Sequence, residues 1–199
     1  MEPKVSKVFN AIAPVYNLFF NMQVKYFGTI LDRVETVIDI SQYQSIIDVG
    51  CGTGALCRVL NQRGFKVTGI DSSKNMIKIA KKRLMSSDIK LHQANALERT
   101  PFPDKSFDMA ISSYTVHGLN ESDRRKLYTE MNRLAKHQVI FHDYNQNRAF
   151  YISIAEWLEG GNYFNFIKRA KMEIAESFKE VKVFDVDRRA AWYICTPYS

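Results

Sequence analysis

Ser45-Ile46-Ile47-Asp48-Val49-Gly50-Cys51-Gly52-Thr53-Gly54 is the stretch on which the reading of this chain turns. Its first half is a short apolar run ending in glycine, the pattern of a buried strand. Its second half carries Gly50, Gly52 and Gly54 directly before the helical pattern of Ala55–Gln62, with Gly64 punctuating the helix end. Glycine permits the tight turn such a passage needs and lets a ligand approach the backbone. A glycine-rich turn alone is common to many nucleotide-binding folds. Here the third glycine comes one residue too early for the dinucleotide spacing G-x-G-x-x-G. Asp48, two residues before the first glycine, suits a ligand with a positive amino group better than one with a pyrophosphate. Asp71 ends the next strand-like run, Lys66–Asp71, where an acid can accept hydrogen bonds from ribose hydroxyls. Together these residues describe a nucleoside bearing an amino-acid tail. The competing possibility is that Asp48 and Asp71 are solvated strand ends or helix caps.

Working outward, strands and helices alternate. Ser72 or Ser73 can cap a helix running to about Met85. Strands are expected at Ile89–Asn95, Phe107–Tyr114 and Gln138–Tyr144, with a helix between the last two capped by Ser122 and presenting Leu127, Met131 and Leu134 on one face. Short links between alternating elements imply a parallel sheet covered by helices on both faces. Val181–Asp187 and Ala190–Thr196 are too close in sequence for anything but an antiparallel hairpin. The expected fold class is therefore α/β, a Rossmann-like seven-stranded mixed sheet with an antiparallel C-terminal hairpin and an N-terminal helical lid. Val5–Phe20 is a helical candidate that Pro14 should end or kink. Phe150–Phe178 reads as two helical pieces split at Gly160-Gly161 and carries Phe150, Tyr151, Trp157, Tyr163, Phe164 and Phe166. Some of these rings should pack on the sheet and others roof a pocket.

With 199 residues, 46% of them apolar and 25% charged, the chain is expected to be one domain: a helical cap over 1–40, a core over 45–145, and helices plus the terminal hairpin over 146–199. The net charge of +7 permits an acidic partner. Helical periodicity accounts for much of it as a solvated face, with Lys74, Lys78, Lys81 and Lys82 outward and Met76, Ile77, Ile79, Ala80 and Leu84 inward. Cys51, Cys57 and Cys195 show no metal spacing and no obvious disulfide set, so free thiols in a reducing cytoplasm are expected, with no metal. Neither a signal peptide nor a membrane span is read from the chain.

Ile47–Gly54 resembles motif I of class I S-adenosylmethionine-dependent methyltransferases, and Val67–Ser73, with Met76 beyond it, is similar to the motif that follows. Gln93-Ala94-Asn95-Ala96, Pro101–Asp108 and Ser112–Leu119 resemble later motifs of the same superfamily. Val8–Asn17 is similar to the entry helix of ubiquinone/menaquinone-type and related small-molecule methyltransferases, with Asn17 where those have Asp. The resemblance implies S-adenosyl-L-methionine as cofactor and S-adenosyl-L-homocysteine as product. It implies that Gly50, Cys51, Gly52, Thr53 and Gly54 hold the methionine part and ribose edge, and that Asp48 serves the amino group. Asp71 would hold the ribose, Ser72 and Met76 flank the adenine, and Asn95 with Ala96 meet its edge. Ser113 would lie near the methionine tail, and Tyr16 would close the site. Asn95 stands where Asp is frequent, and its carbonyl oxygen can still accept from an adenine amine.

His117 at the exit of the fourth strand is the leading general base, followed by His142, Asp143 and Tyr144. Packing or helix capping by His117 is the alternative. The acceptor is expected to be a small molecule, aromatic or apolar if Tyr16, Phe19, Trp157, Tyr163 or Phe164 line its pocket. A nucleic-acid methyltransferase and a non-catalytic S-adenosylmethionine-binding protein are the competing functions. Ser112-Ser113-Tyr114-Thr115 lacks the Asn/Asp-Pro-Pro-aromatic motif common in enzymes that methylate exocyclic base amines.

Overall fold

The computed structural model of the protein describes residues 10, 13, 14, 16–145 and 162–199. Phe150, Tyr151, Trp157 and the Gly160-Gly161 break lie outside the described residues, as do the side chains of Tyr163 and Phe164. The chain forms two compact units, Met1–Thr100 and Pro101–Ser199. Its seven strands belong to one mixed sheet, the Rossmann-like α/β class expected from the alternation of elements.

The first unit holds α1 (Phe20–Val34), β1 (Ser45–Val49), α2 (Ala55–Gln62), β2 (Lys66–Asp71), α3 (Lys74–Arg83) and β3 (Lys90–Gln93). β2 lies between β1 and β3 and is parallel to both, with Asp48 opposite Gly69 and Asp71 opposite Gln93. α1 buries Phe20, Phe27, Ile30, Leu31 and Val34 and packs on α2, which buries Ala55, Leu56, Cys57, Val59 and Leu60. Removing such apolar stripes from water is the main stabilising term. Ser73, not Ser72, caps α3 by accepting from the Met76 N–H at 3.1 Å. Lys74, Lys78, Lys81 and Lys82 are exposed and Met76, Ile77, Ala80 and Leu84 are buried, as the periodicity requires, but Ile79, expected inward, is only half-buried at the margin of that face. Ala13, Pro14 and Tyr16–Leu18 are helical and the turn falls at Phe19, so the break expected at Pro14 comes later.

The second unit holds β4 (Phe107–Ser113), a 3-10 turn at Val116–Gly118, α4 (Glu121–Leu134), β5 (Ala135–Tyr144), α5 (Asn162–Ser177), β6 (Glu180–Asp187) and β7 (Ala190–Thr196). β4 and β5 are parallel, whereas β7 is antiparallel to both β5 and β6. β7 is buried from Ala190 to Cys195, since it has a strand on either side. β5 starts at Ala135, earlier than its apolar run, because Ala135 pairs with Phe107. Tyr128, Phe141 and Phe178 meet edge to face at centroid distances of 5.2–6.2 Å and form the aromatic centre of this unit.

Ser122 does not cap α4. Asn120 does, its Oδ1 accepting the Asp123 N–H at 3.0 Å, and Ser122 falls inside the first turn. Asn120→Ala should therefore lower stability by about 1 kcal/mol. Ser122→Ala should change it by less than about 0.5 kcal/mol. Urea denaturation of the two variants separates the assignments.

Candidate functional site

The glycine loop is built by β1 and β2 together. The N–H groups of Gly50 and Cys51 both donate to the Ile70 carbonyl, at 2.8 and 2.9 Å. This folds the chain back across the end of β2. Gly54 has φ +85°, a left-handed conformation that disfavours any side chain, and a Cβ there would stand 2.6 Å from Leu84 Cδ1, which would have to move. Beneath the loop, a Cβ on Gly69 would meet Cys57 Sγ at 2.8 Å and Cys51 Sγ at 3.0 Å. Gly69 on β2 thus leaves room for two buried thiols beneath the loop. Cys51, Cys57 and Cys195 are all free and buried; a hydrogen bond with Cys51 together with burial raises the pKa of Cys57, burial raises that of Cys51 against that bond, and burial raises that of Cys195.

Asp71 holds this turn from the other side. Its Oδ2 accepts the Gly52 N–H at 2.9 Å and its Oδ1 accepts the Ser73 N–H at 2.7 Å, so one carboxylate ties the glycine loop to the start of α3. That positioning role is invisible in the sequence motif. Asp48 is 1% exposed; its Oδ2 accepts from the Cys57 thiol at 3.2 Å, and its Oδ1 is buried without a hydrogen-bond partner. Burial pushes the Asp48 pKa up to about 7, and the nearby Asp71 charge adds to the effect. Burial also raises Asp71, against the two backbone donors. A buried acceptor left unsatisfied is unfavourable, and a bound cation with N–H donors would relieve it.

Of the remaining candidates of this unit, Ser72, Met76, Asn95 and Ala96 follow the ends of β2 and β3. Ser72 and Met76 open α3, with Met76 buried in its first turn. The Ala94 N–H donates to the Asp71 carbonyl at 3.1 Å, which brings the Asn95-Ala96 loop to the end of β2. Asn95 Oδ1 accepts the Leu97 N–H at 3.1 Å, so this carbonyl already shapes its own loop. Thr53 is buried, and Tyr16 is 38% exposed. Asn10, also in the entry segment, accepts the Ser73 hydroxyl at 2.6 Å.

In the second unit, the ends of β4 and β5 carry a second cluster. His117 Nδ1 lies 2.8 Å from Asp143 Oδ1. Asp143 is fully buried; its Oδ2 also accepts the N–H groups of Val116 (3.0 Å) and His117 (3.3 Å), and its Oδ1 accepts that of Tyr144 (2.8 Å). With Asp143 wholly engaged as acceptor, the proton of a neutral His117 ring sits on Nδ1 and the lone pair on Nε2. Tyr144 packs edge-on against His117 at 4.7 Å between ring centroids, and Tyr114 lies at 6.4 Å. Tyr114 adopts φ +50°, a left-handed conformation that a bulky residue rarely takes, and its N–H donates to the His142 carbonyl at 2.8 Å. Ser113 Oγ is buried without a hydrogen-bond partner. His142 is placed differently from His117: it is 1% exposed, its Nδ1 accepts from the Trp192 indole at 2.7 Å, and burial lowers its pKa to about 4. It is a neutral packed histidine. Among the described residues no group of His, Cys, Asp and Glu is arranged to hold a metal ion.

Residues 46–138 match the family description "Methyltransferase domain". A demethylmenaquinone methyltransferase from Thermotoga maritima is 31% identical over 137 residues, covering 65% of this chain and 56% of that protein. The chain thus spans little more than half the length of that curated relative. A solved structure of a putative S-adenosyl-L-methionine-dependent methyltransferase from Methanococcus maripaludis shares the fold with a TM-score of 0.71 at 18% identity, covering 96% of this chain and 94% of that one. The Haemonchus contortus phosphoethanolamine N-methyltransferase 2, solved in complex with S-adenosyl-L-methionine, has a TM-score of 0.67 at 16% identity over 85% of this chain and 52% of that one.

Proposed function

Because the chain belongs to the class I S-adenosylmethionine-dependent methyltransferases, we propose that it transfers a methyl group to a small-molecule acceptor by in-line displacement. The observation that carries this reading is Asp48, a buried carboxylate whose Oδ1 lacks a partner beside the glycine loop. S-adenosylmethionine, the cofactor of this family, supplies a methyl group on a sulfonium that is already a strong electrophile. The residues present fit it: Asp48 accepts from the ammonium, the Gly50–Gly54 loop with Cys51 and Thr53 lies along the methionine and ribose edge, and Asp71 accepts from ribose hydroxyls. Ser72, Met76, Asn95 and Ala96 bind the adenine, Ser113 serves the methionine tail, and Tyr16 closes over the site.

The protein's main contribution is then orientation, which supplies about 7–11 kcal/mol of barrier reduction in well-aligned reactions. His117 takes the acceptor's proton on Nε2, while Asp143 fixes the ring and stabilises the imidazolium that forms. The rings of Tyr114 and Tyr144 around His117 favour an aromatic or apolar acceptor. Incubating the protein with methyl-labelled cofactor and a metabolite extract should yield a labelled small-molecule product. Label entering only RNA, or no label transfer at all, would contradict the reading.

Asp48 makes the binding step pH-dependent. With a pKa raised to about 7, its carboxyl is largely protonated at pH 5 in the unliganded protein. The sign follows: this group stabilises the fold fully below its ordinary value of 3.8 and loses that contribution as pH rises through about 7. The cofactor ammonium favours the ionised form, so binding should release a proton below pH 7. Calorimetric titrations with S-adenosylhomocysteine in buffers of different ionisation heat should show proton release at pH 6 and almost none at pH 8. The Asp48→Asn variant should show none at either pH.

A further inference from the structure

The entry segment and α3 together form a surface unrelated to the acceptor chemistry. Asn10 accepts from Ser73 (2.6 Å) and the Asn75 N–H (3.1 Å) at the start of α3. At the other end Arg83 donates to the Asn17 side chain (2.7 Å) and carbonyl (3.1 Å). Asn10 and Asn17 thus contact opposite ends of α3. Around the Arg83–Asn17 contact, Leu18 and Met85 are each 80% exposed and Met22 is 63% exposed. Met22 and Lys25 lie three residues apart on α1, just beyond Leu18, and Lys25 is exposed. Lys74, Lys78, Lys81 and Lys82 are exposed along α3. No carboxylate occurs between Glu2 and Asp32, nor between Asp71 and Asp88, so acidic residues are missing from both stretches that make the surface.

We propose that this surface docks on an anionic lipid bilayer. Leu18, Met22 and Met85 enter the boundary between headgroups and acyl chains, and Lys25, Lys78, Lys81 and Lys82 meet acidic headgroups. Exposed aliphatic and thioether side chains set among lysines are the composition of an interfacial membrane contact. A single-stranded nucleic acid would use the lysines and stack its bases on aromatic rings; Phe19 (47% exposed) and Tyr16 (38%) adjoin Leu18, but the most exposed apolar side chains of the patch are the aliphatic and thioether groups of Leu18, Met85 and Met22, which suit acyl chains. No helix among the described residues is long and apolar enough to cross a membrane, so the contact is peripheral.

Cosedimentation of the full chain with vesicles tests this. At low salt the protein should pellet with vesicles of equal parts phosphatidylglycerol and phosphatidylcholine, stay in solution with phosphatidylcholine alone, and be released by salt. Lys78→Glu/Lys81→Glu/Lys82→Glu should weaken partitioning by about a hundredfold. Leu18→Ser/Met22→Ser/Met85→Ser should abolish it. Both variants should keep wild-type melting and stabilisation by S-adenosylhomocysteine, which separates loss of docking from loss of fold or cofactor site. Should a triple variant not fold, Leu18→Ser and Lys81→Glu alone should each reduce partitioning measurably. The proposal is overturned if the wild type ignores mixed vesicles at low salt, if phosphatidylcholine alone binds equally, or if the apolar variant binds like wild type. Tighter binding to single-stranded RNA than to vesicles, indifferent to the apolar changes, would also overturn it.

Discussion

His117→Ala should lower kcat by about 10²–10⁴-fold while leaving S-adenosylhomocysteine affinity unchanged, once the acceptor is in hand. The geometry behind this is the 2.8 Å contact between His117 Nδ1 and a buried Asp143 that accepts from three backbone N–H groups as well. Asp143 is thus a positioning residue: it acts through the orientation and tautomer of His117. Asp143→Asn retains the shape but offers the ring an amide that can donate as well as accept. It should depress kcat nearly as far as His117→Ala and shift the ascending limb of the pH–rate profile, with KM for the cofactor little changed. The His117 ring resonances should titrate at a different pH in the variant, a readout that a packing role alone would not move. Turnover retained by His117→Ala would return His117 to the role of a packed or capping residue.

Arg124→Met should destabilise the protein by about 3–5 kcal/mol in urea denaturation. Arg124 and Glu173 are each 1% exposed and form a bidentate pair at 2.7 Å, with a third Arg124 donor on the Leu119 carbonyl, also at 2.7 Å. Removing the guanidinium strands a carboxylate in the core between α4 and α5. The pair itself is of modest net worth against an apolar replacement, because both charges were taken out of water to form it. Arg124→Met combined with Glu173→Leu should therefore recover most of the loss. A single variant within about 1 kcal/mol of wild type would show that water reaches Glu173.

The local part of the fold was readable because its signals are local. Ala55–Gln62, Lys66–Asp71 and Ala190–Thr196 coincide with their elements because apolar period and glycine punctuation fall within a few residues of one another. Boundaries set by distant partners were not readable. β5 begins at Ala135 because Phe107 pairs with it, and α4 is capped by Asn120 because its side chain, not that of Ser122, reaches the orphan donor. The same division runs through the candidate site. Asp48, the glycines and Asp71 were visible as a spaced set. The clamp of Asp71 on Gly52 and the union of His117 with Asp143, 26 residues away, depend on strand ends meeting in space. The contact of Asn10 with Ser73 across 63 residues left no sequence pattern at all.

The most direct test of the cofactor assignment is thermal unfolding of the wild type and of Asp71→Ala with S-adenosylhomocysteine and, separately, with NAD. S-adenosylhomocysteine at a hundred times its Kd should stabilise the wild type by about 2.7 kcal/mol. NAD should leave it unchanged, and Asp71→Ala should lose the S-adenosylhomocysteine effect. Stabilisation by NAD with none from S-adenosylhomocysteine would contradict the account.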